Sequence, residues 1–281
     1  MTTVSVIVPT RDRPAALERC LAAVGSQRGL DSLEIVVVDD GSMDAERISA
    51  IVSSQPGALL IRRVGAGPAA ARNAGATAAT GTVLCFTDDD CEPAPDWAAL
   101  LVRRLEASAD AAGGATVSGE ATDPFSEATE LIVRELQAST HRRLSNRVFI
   151  PLNNLACRRS VALEYPFDES YTRAGGEDRA WCARIAAAGL TLGLEPNAII
   201  SHRPVLGFGG FWRQHERYGR GAFRFVRSRT SGDWQEPPGF YFGLLRASIR
   251  TSLTCLSLVL LAQVATTVGF VKEAVERKSH R

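Results

Sequence analysis

Three consecutive carboxylates, Asp88, Asp89 and Asp90, follow the apolar run Val83-Leu84-Cys85-Phe86 and precede Cys91-Glu92-Pro93. Adjacent carboxylates repel, and at the end of a buried strand that repulsion calls for a divalent cation, a cationic side chain or water. Carboxylate oxygens suit Mg2+ or Mn2+, typically with substrate phosphates completing the shell. Taken alone, such a cluster is more often a solvated turn or a helix cap.

Two further sets of titratable residues could carry chemistry. Glu177 and Asp178 follow Gly175-Gly176 at the start of a helical pattern bearing Trp181, Cys182 and Ile185. Anions suit a helix N-terminus, so the pair reads either as stabilising charge or as a positioned base, and position alone favours the former. His202 ends the run Ala198-Ile199-Ile200-Ser201. A histidine there is usually structural, but it can also ligate a metal or carry a proton.

The elements that must position these groups alternate. Val4-Ser5-Val6-Ile7-Val8 before Pro9, Glu34 to Val38, Leu59 to Arg62 and Thr82 to Phe86 read as buried strands. Between the first two, Leu17, Cys20, Leu21 and Val24 share one helical face, with Asp12 as its expected cap and Pro14 in its first turn. Gly67-Pro68-Ala69-Ala70-Ala71-Arg72 opens an alanine-rich helix. The order β-α-β-α-β-α-β predicts a doubly wound, mostly parallel Rossmann-like α/β sheet, whose ligands bind beyond the carboxyl ends of its strands. Polar clusters after Val8, Val38 and Phe86 fall on that one edge. Helices are expected from Pro95 to Ser108 and from Glu127 to Ser139, and strands at 115–119, 190–194 and 198–202.

Composition sets the limits. The chain has 281 residues, 45% hydrophobic and 22% charged, enough for one large core with or without an appendage. A formal net charge of +1 argues against a nucleic-acid binder. The cysteines at 20, 85, 91, 157, 182 and 255 form no CxxC pair and read as reduced core residues. The first residues enter the strand pattern without the basic and apolar regions of a signal peptide, so a cytoplasmic location is expected.

From Gly209 onward aromatic residues (Phe211, Trp212, Tyr218, Phe223, Phe225) interleave with arginines from Arg213 to Arg229. Such a helix can cover apolar surface, bind phosphates or lie on an anionic membrane. After Pro237-Pro238, Thr251 to Val271 carries no formal charge. Its scattered hydroxyl and amide groups favour packing against the protein, a second copy or a membrane surface over a full membrane crossing.

Taken together, residues 4–205 resemble the family 2 glycosyltransferases of the GT-A fold. Val4 to Thr10 is similar to the family's opening strand, Val37-Val38-Asp39-Asp40-Gly41-Ser42 to its second, and Gly67 to Gly75 to its Ala-Arg-Asn helix. Asp88-Asp89-Asp90 stands at its DxD motif, and Asn154 to Arg159 and Gly176-Glu177-Asp178 match its acceptor-side segments. The sequence departs at Arg11, where an aromatic is common, and at Cys91, where a fourth acidic residue often stands.

The resemblance implies a catalytic domain over 1–205, a C-terminal helical extension over 206–281, and an inverting, metal-dependent sugar transfer. The donor would be a nucleotide diphosphate sugar, with UDP favoured. Asp40 would hold the base and ribose beside Pro9, Thr10 and Arg11, and Arg72 would face the nucleotide. Asp88 and Asp90 would carry the ribose and Mn2+ or Mg2+ contacts, with His202 completing the metal shell. Asp89 stands on the nucleotide side as the most dispensable of the three. Asp178 would be the general base, supported by Glu177. The acceptor would be a glycan, a lipid-linked molecule or a small molecule, with the 206–281 segment available for membrane contact at the inner surface or for a homodimer.

Two other readings share the βαβ layout. The first strand leads into Pro-Thr-Arg-Asp-Arg, which is neither the GxGxxG of a dehydrogenase nor a P-loop. A non-catalytic nucleotide-sugar or glycan-binding module is the rival from another class, and the retained aspartates and Asp178 weigh against it.

Overall fold

The computed structural model describes residues 2–119, 123–143, 148–171, 175–203, 207–228 and 236–279. Strands β1 (Thr3–Thr10), β2 (Ser32–Asp39) and β3 (Leu59–Arg62) alternate with helices α1 (Pro14–Gly25), α2 (Ala45–Ser53) and α3 (Pro68–Ala78). Strand β4 (Val83–Phe86) then pairs in parallel with β1. Beyond it lie β5 (Cys91–Pro93), α4 (Trp97–Ala107), β6 (Ala111–Ser118) and α5 (Pro124–Arg143). A 3-10 turn (Leu152–Asn154), β7 (Leu155–Arg158), α6 (Arg159–Glu164), α7 (Glu177–Ala187) and β8 (Leu192–His202) follow. All eight strands join one sheet in the order β3-β2-β1-β4-β7-β6-β8-β5. Four of its seven neighbour pairs are parallel, so the mostly parallel expectation holds, with β7 entering antiparallel between β4 and β6.

The near-continuous apolar runs of β1 and β2 follow from burial on both faces. Side chains alternate across a strand, so Ile7, Val36 and Val38 join the core cluster that includes residues of α3 and α7, while Val6, Val8 and Val37 join the one that includes residues of α1 and α4. A Cβ on Gly75 would lie 2.5 Å from Ile7 Cγ2, and glycine there lets α3 approach the sheet. All six cysteines are buried and unpaired, as expected for core residues.

Three local expectations change. Asp12 does not cap α1; its φ is +56°, and its Oδ1 accepts from Met43 N–H at 2.7 Å, tying the loop after β1 to the loop after β2. Residues 190–194 and 198–202 are not two strands but one, β8, which keeps its pairing with β6 through a register shift at Gly114/Ala115. Asn154 fills that irregularity: its Nδ2 donates to the carbonyls of Ala115 and Ala198, and its Oδ1 accepts from Trp97 Nε1 and Gly114 N. Finally, the single helix expected after Pro237-Pro238 is two, broken at Ser252 near the start of the uncharged segment, where Ser252 Oγ accepts from Cys255 N–H at 3.0 Å as a helix cap.

The C-terminal helices are α8 (Phe208–Val226), α9 (Pro238–Thr251) and α10 (Leu253–Ser279). Leu244, Val259 and Ala262 form an apolar cluster with Phe211 and with Ala128 and Leu131 of α5. Thus α5, from the first two hundred residues, is bound into the same bundle. The boundary drawn at 205/206, Arg229, and parts of the 120–150 segment lie outside the described residues.

Candidate active site

The carboxyl edge of the sheet opens into a cleft of about 1680 Å³, closed on its far side by α5, α8 and α9. Pro9, Thr10, Arg11, Asp40 and Arg72 all line it, as do Asp88, Asp89, Asp90, Glu177, Asp178 and His202. The sequence-predicted residues therefore converge. Asp40 is nearly buried, and its two oxygens accept from Ala66 N at 2.9 Å and Gly67 N at 2.8 Å. Its carboxylate thus shapes the loop that opens α3. Arg11 is exposed at the rim, where its guanidinium lies beside Gly65.

The three aspartates have different partners. Asp88 Oδ1 meets Arg72 Nη2 at 2.6 Å. Asp89 is only 4% exposed, and it accepts from Thr10 Oγ1 at 2.8 Å and Arg13 Nη1 at 3.1 Å. The residue read as most dispensable is the one most built into the structure. Burial pushes the Asp89 carboxyl up to about 7, although Arg13 pulls the other way. Asp90 lies 2.8 Å from Arg13 Nη1 and 3.5 Å from His202 Nε2. Burial would raise Asp90, but His202 and Arg13 draw it down to about 2. Burial would likewise lower His202, yet Asp90 and Glu130, whose Oε1 is 3.8 Å from Nδ1, raise it to about 10.

Asp90, Cys91 and His202 bring potential ligand atoms within 4.8 Å of one another. Burial holds the Cys91 thiol protonated, which leaves the Asp90 carboxylate and, once a cation displaces the proton that Asp90 and Glu130 hold on it, the His202 imidazole as the donor set. That chemistry fits a hard or borderline divalent cation completed by water and phosphate oxygens.

On the opposite wall, Gly176 adopts a left-handed conformation (φ 90°) at the N-cap of α7. Glu177 is 5% exposed and its Oε2 accepts from Gly175 N at 2.6 Å, while Asp178 Oδ1 accepts from Arg179 N at 2.7 Å. Burial raises both carboxyls, Glu177 further through its charged neighbour Asp178. Arg72 is buried between the two walls, with Nη1 3.9 Å from Glu177 Oε1 and its Nε and Nη1 lacking hydrogen-bond partners.

Sequence reading missed three contributors. Arg13 bridges two aspartates, and its place in the polar stretch after β1 was the available signal. Glu130 reaches His202 from α5, inside the segment whose pattern was least regular. Asn153, rather than Asn154, lines the cleft, its Nδ2 3.7 Å from Cys91 Sγ.

A curled, mostly parallel sheet with a DxD-type cluster on its carboxyl edge and a second acidic pair across the cleft defines a GT-A glycosyltransferase. Residues 5–165, more than half of the chain, match the sequence profile of glycosyl transferase family 2, and the chain belongs to that family. It is 29% identical over 233 residues to glycosyltransferase AglE of Haloferax volcanii, covering 79% of this chain and 73% of AglE. In fold it resembles mannosyltransferase PcManGT from Pyrobaculum calidifontis, solved with GDP-Man and Mn2+. The TM-score is 0.63 at 23% identity, over 93% of this chain and 73% of that one. Residues 1–349 of S. aureus TarS, solved with UDP, give 0.57 at 15% identity, over 99% and 92%.

Proposed function

We propose that the chain is an inverting, metal-dependent glycosyltransferase that moves a sugar from a nucleotide diphosphate sugar, with UDP favoured, to an acceptor hydroxyl. The observation that carries this reading is the single buried guanidinium of Arg72, joining donor-side Asp88 to Glu177 beside Asp178. Donor and acceptor machinery are thereby held within one side chain of each other.

Asp90 and His202, with Asp88 adjacent, would hold Mn2+ or Mg2+, which when bound neutralises charge on the diphosphate. Asp178 accepts the proton of the acceptor hydroxyl as that oxygen bonds to the anomeric carbon and the bond from that carbon to the diphosphate oxygen breaks. A single displacement inverts the configuration. Burial makes Asp178 a stronger base than a solvated aspartate. Arg72 holds Glu177 in place and offers buried N–H groups to the cleft. Asp40 keeps the α3 loop closed around the base and ribose side, with Pro9, Thr10, Arg11 and Asp89 along the same wall.

Asp178→Asn is expected to abolish transfer and leave nucleotide binding intact, whereas Asp90→Ala weakens nucleotide binding only when Mn2+ is present. Wild-type transfer by both variants would sink the mechanism and favour the binding-module alternative.

A second reading concerns location. Phe242 (74% exposed), Ile249 and Leu253 (76% exposed) form an apolar surface at the α9–α10 junction beside exposed Arg246 and Arg250, and α10 continues it with Leu260, Val264 and Val271. Among the described residues one helix, Leu253–Arg277, is long and apolar enough to cross a membrane, with 28% of its most apolar stretch buried. Apolar side chains beside two arginines suit an anionic bilayer surface, and a cytoplasmic protein would meet it on the inner leaflet. The full-length chain should float with anionic liposomes, and Phe242→Glu with Leu253→Glu should not. A concentration-dependent dimer without flotation would assign this face to a second copy instead.

A further inference from the structure

Helix α8 turns two chemically different faces to its surroundings. Gly210, Arg213, Gln214, Arg217 and Tyr218 line the cleft, a spacing of three and four residues that defines one side of the helix. The other side packs on α10, so closely that a Cβ on Gly219 would lie 1.8 Å from the Thr266 carbonyl oxygen.

The arginines follow this division. On the α10 side, Arg220 pairs with Glu273 and Glu276, and Arg224 pairs with Glu273. On the cleft side, Arg213 and Arg217 have no acidic partner among the described residues, and the Nε of Arg217 is buried without a hydrogen-bond partner. Glu216, which lies between them in sequence, is taken by Lys272 on the other face at 2.9 Å. Two unpaired guanidinium groups one helical turn apart therefore face the same space.

That space adjoins the acceptor base. A Cβ on Gly175 would lie 2.9 Å from the Arg217 carbonyl oxygen, and the N–H of Gly175 donates to Glu177. Arg217 is thus seated against the turn that leads into Asp178. Next to it, the Tyr218 hydroxyl accepts from Gln214 Nε2 at 3.0 Å, leaving its own O–H free to donate.

We propose that the cleft face of α8 is a binding site for a phosphoryl group carried by the acceptor, with Arg213 and Arg217 as its cationic clamp. The proposal rests on the assignment of this wall to the acceptor. Each guanidinium presents parallel N–H groups that match phosphate oxygens, and a phosphate monoester or diphosphate has oxygens enough for both, whereas one carboxylate is filled by a single fork. The cleft continues past this face to Phe240 and Tyr241 of α9, so the phosphoryl group can belong to a water-soluble sugar phosphate or to a lipid phosphate whose chain leaves along α9.

The test uses the full chain in EDTA, which removes any contribution from a divalent cation, with phenyl phosphate and farnesyl phosphate as probes and phenyl glucoside as the neutral control. Titration calorimetry on the wild type should detect both phosphates and not the glucoside. Arg213→Gln with Arg217→Gln should weaken phosphate binding at least tenfold, while Arg246→Gln, on α9, should not. Farnesyl phosphate binding much tighter than phenyl phosphate identifies the lipid source, and equal binding identifies the soluble one. Binding of UDP and GDP with Mn2+, measured in parallel, should be unchanged in the double variant. If wild type binds the phosphates but neither nucleotide, the donor assignment fails and this site stands. If wild type binds neither phosphate, or the double variant binds them equally well, the site is overturned. Should the double variant misfold, Arg213→Gln alone, at an exposed position, should still cost several-fold in affinity.

Discussion

Arg72 and Glu177 face each other inside the protein, Nη1 to Oε1 at 3.9 Å, while Nη2 of the same arginine holds Asp88 at 2.6 Å. One guanidinium thus offsets carboxylates from both walls of the cleft. Removing one member of a buried charged group leaves the others uncompensated, at a cost of about 3–5 kcal/mol. Arg72→Met should therefore lower unfolding free energy by about 3 kcal/mol in urea titrations. Arg72→Lys should recover only part of it, because an ammonium cannot reach in two directions at once. A loss below about 1 kcal/mol for Arg72→Met would show that Arg72 is not the bridge.

His215 gives the stability a second, pH-dependent component. It is 2% exposed, 3.1 Å from Thr129 Oγ1 and stacked edge-on against Phe211, and burial lowers its pKa from 6.5 to about 4. The unfolded chain binds the proton more tightly than the folded one. Stability from this residue is thus complete above pH 6.5 and is lost as pH falls through about 4. At 1.36 kcal/mol per pH unit, the full span is worth about 3 kcal/mol. Urea titrations from pH 7 to pH 4 should show this decline in the wild type and a shallower one in His215→Gln. Equal slopes in the two proteins would remove His215 as the cause.

Strand alternation made the first half of the fold legible, because Val4 to Val8 and Glu34 to Val38 are buried on both faces and need only be apolar. The site was legible to the extent that its residues sit where strands end. What the sequence could not show was partnership. Nothing local marks Asp89 as the aspartate clasped by Thr10 and Arg13, or Asn153 rather than Asn154 as the cleft residue, since both depend on contacts tens of residues away. The single strand β8 was hidden for a related reason: Pro196-Asn197 reads as a turn, and only pairing with β6 on both sides of the irregularity carries the strand through it.

Glycines distinguish tight helix contacts from open ones. On α8, a Cβ at Gly219 would lie 1.8 Å from the Thr266 carbonyl oxygen, and on α10 one at Gly269 would lie 1.9 Å from that of Glu216. Gly243 on α9 has nothing within 4 Å of the same position. Gly219→Ala should force the helices apart and cost about 2 kcal/mol or more. Gly243→Ala should stabilise by up to about 1 kcal/mol, through helix propensity alone. Differential scanning calorimetry should shift the two melting temperatures in opposite directions, and a rise for Gly219→Ala would refute the close crossing.

Asn154 is fully buried and makes four hydrogen bonds, donating to the carbonyls of Ala115 and Ala198 and accepting from Trp97 Nε1 and Gly114 N. Asn154→Asp keeps the size and the accepting oxygen but replaces the donating amide with an acceptor. The two carbonyls would then face oxygen, at a cost of about 3 kcal/mol from lost bonds and desolvation. A protonated aspartic acid can restore one donor, so the folded state raises the pKa of this residue. Its stability is present while it is protonated and lost as pH rises through that value. Asn154→Asp should therefore be less stable than wild type at pH 8 and recover part of the difference at pH 5, in urea titrations run at both. Asn154→Leu should show a comparable loss at pH 8 and no such recovery at pH 5. Equal stability of wild type and Asn154→Asp at pH 8 would mean that the irregularity in β6 and β8 is held by the strands themselves.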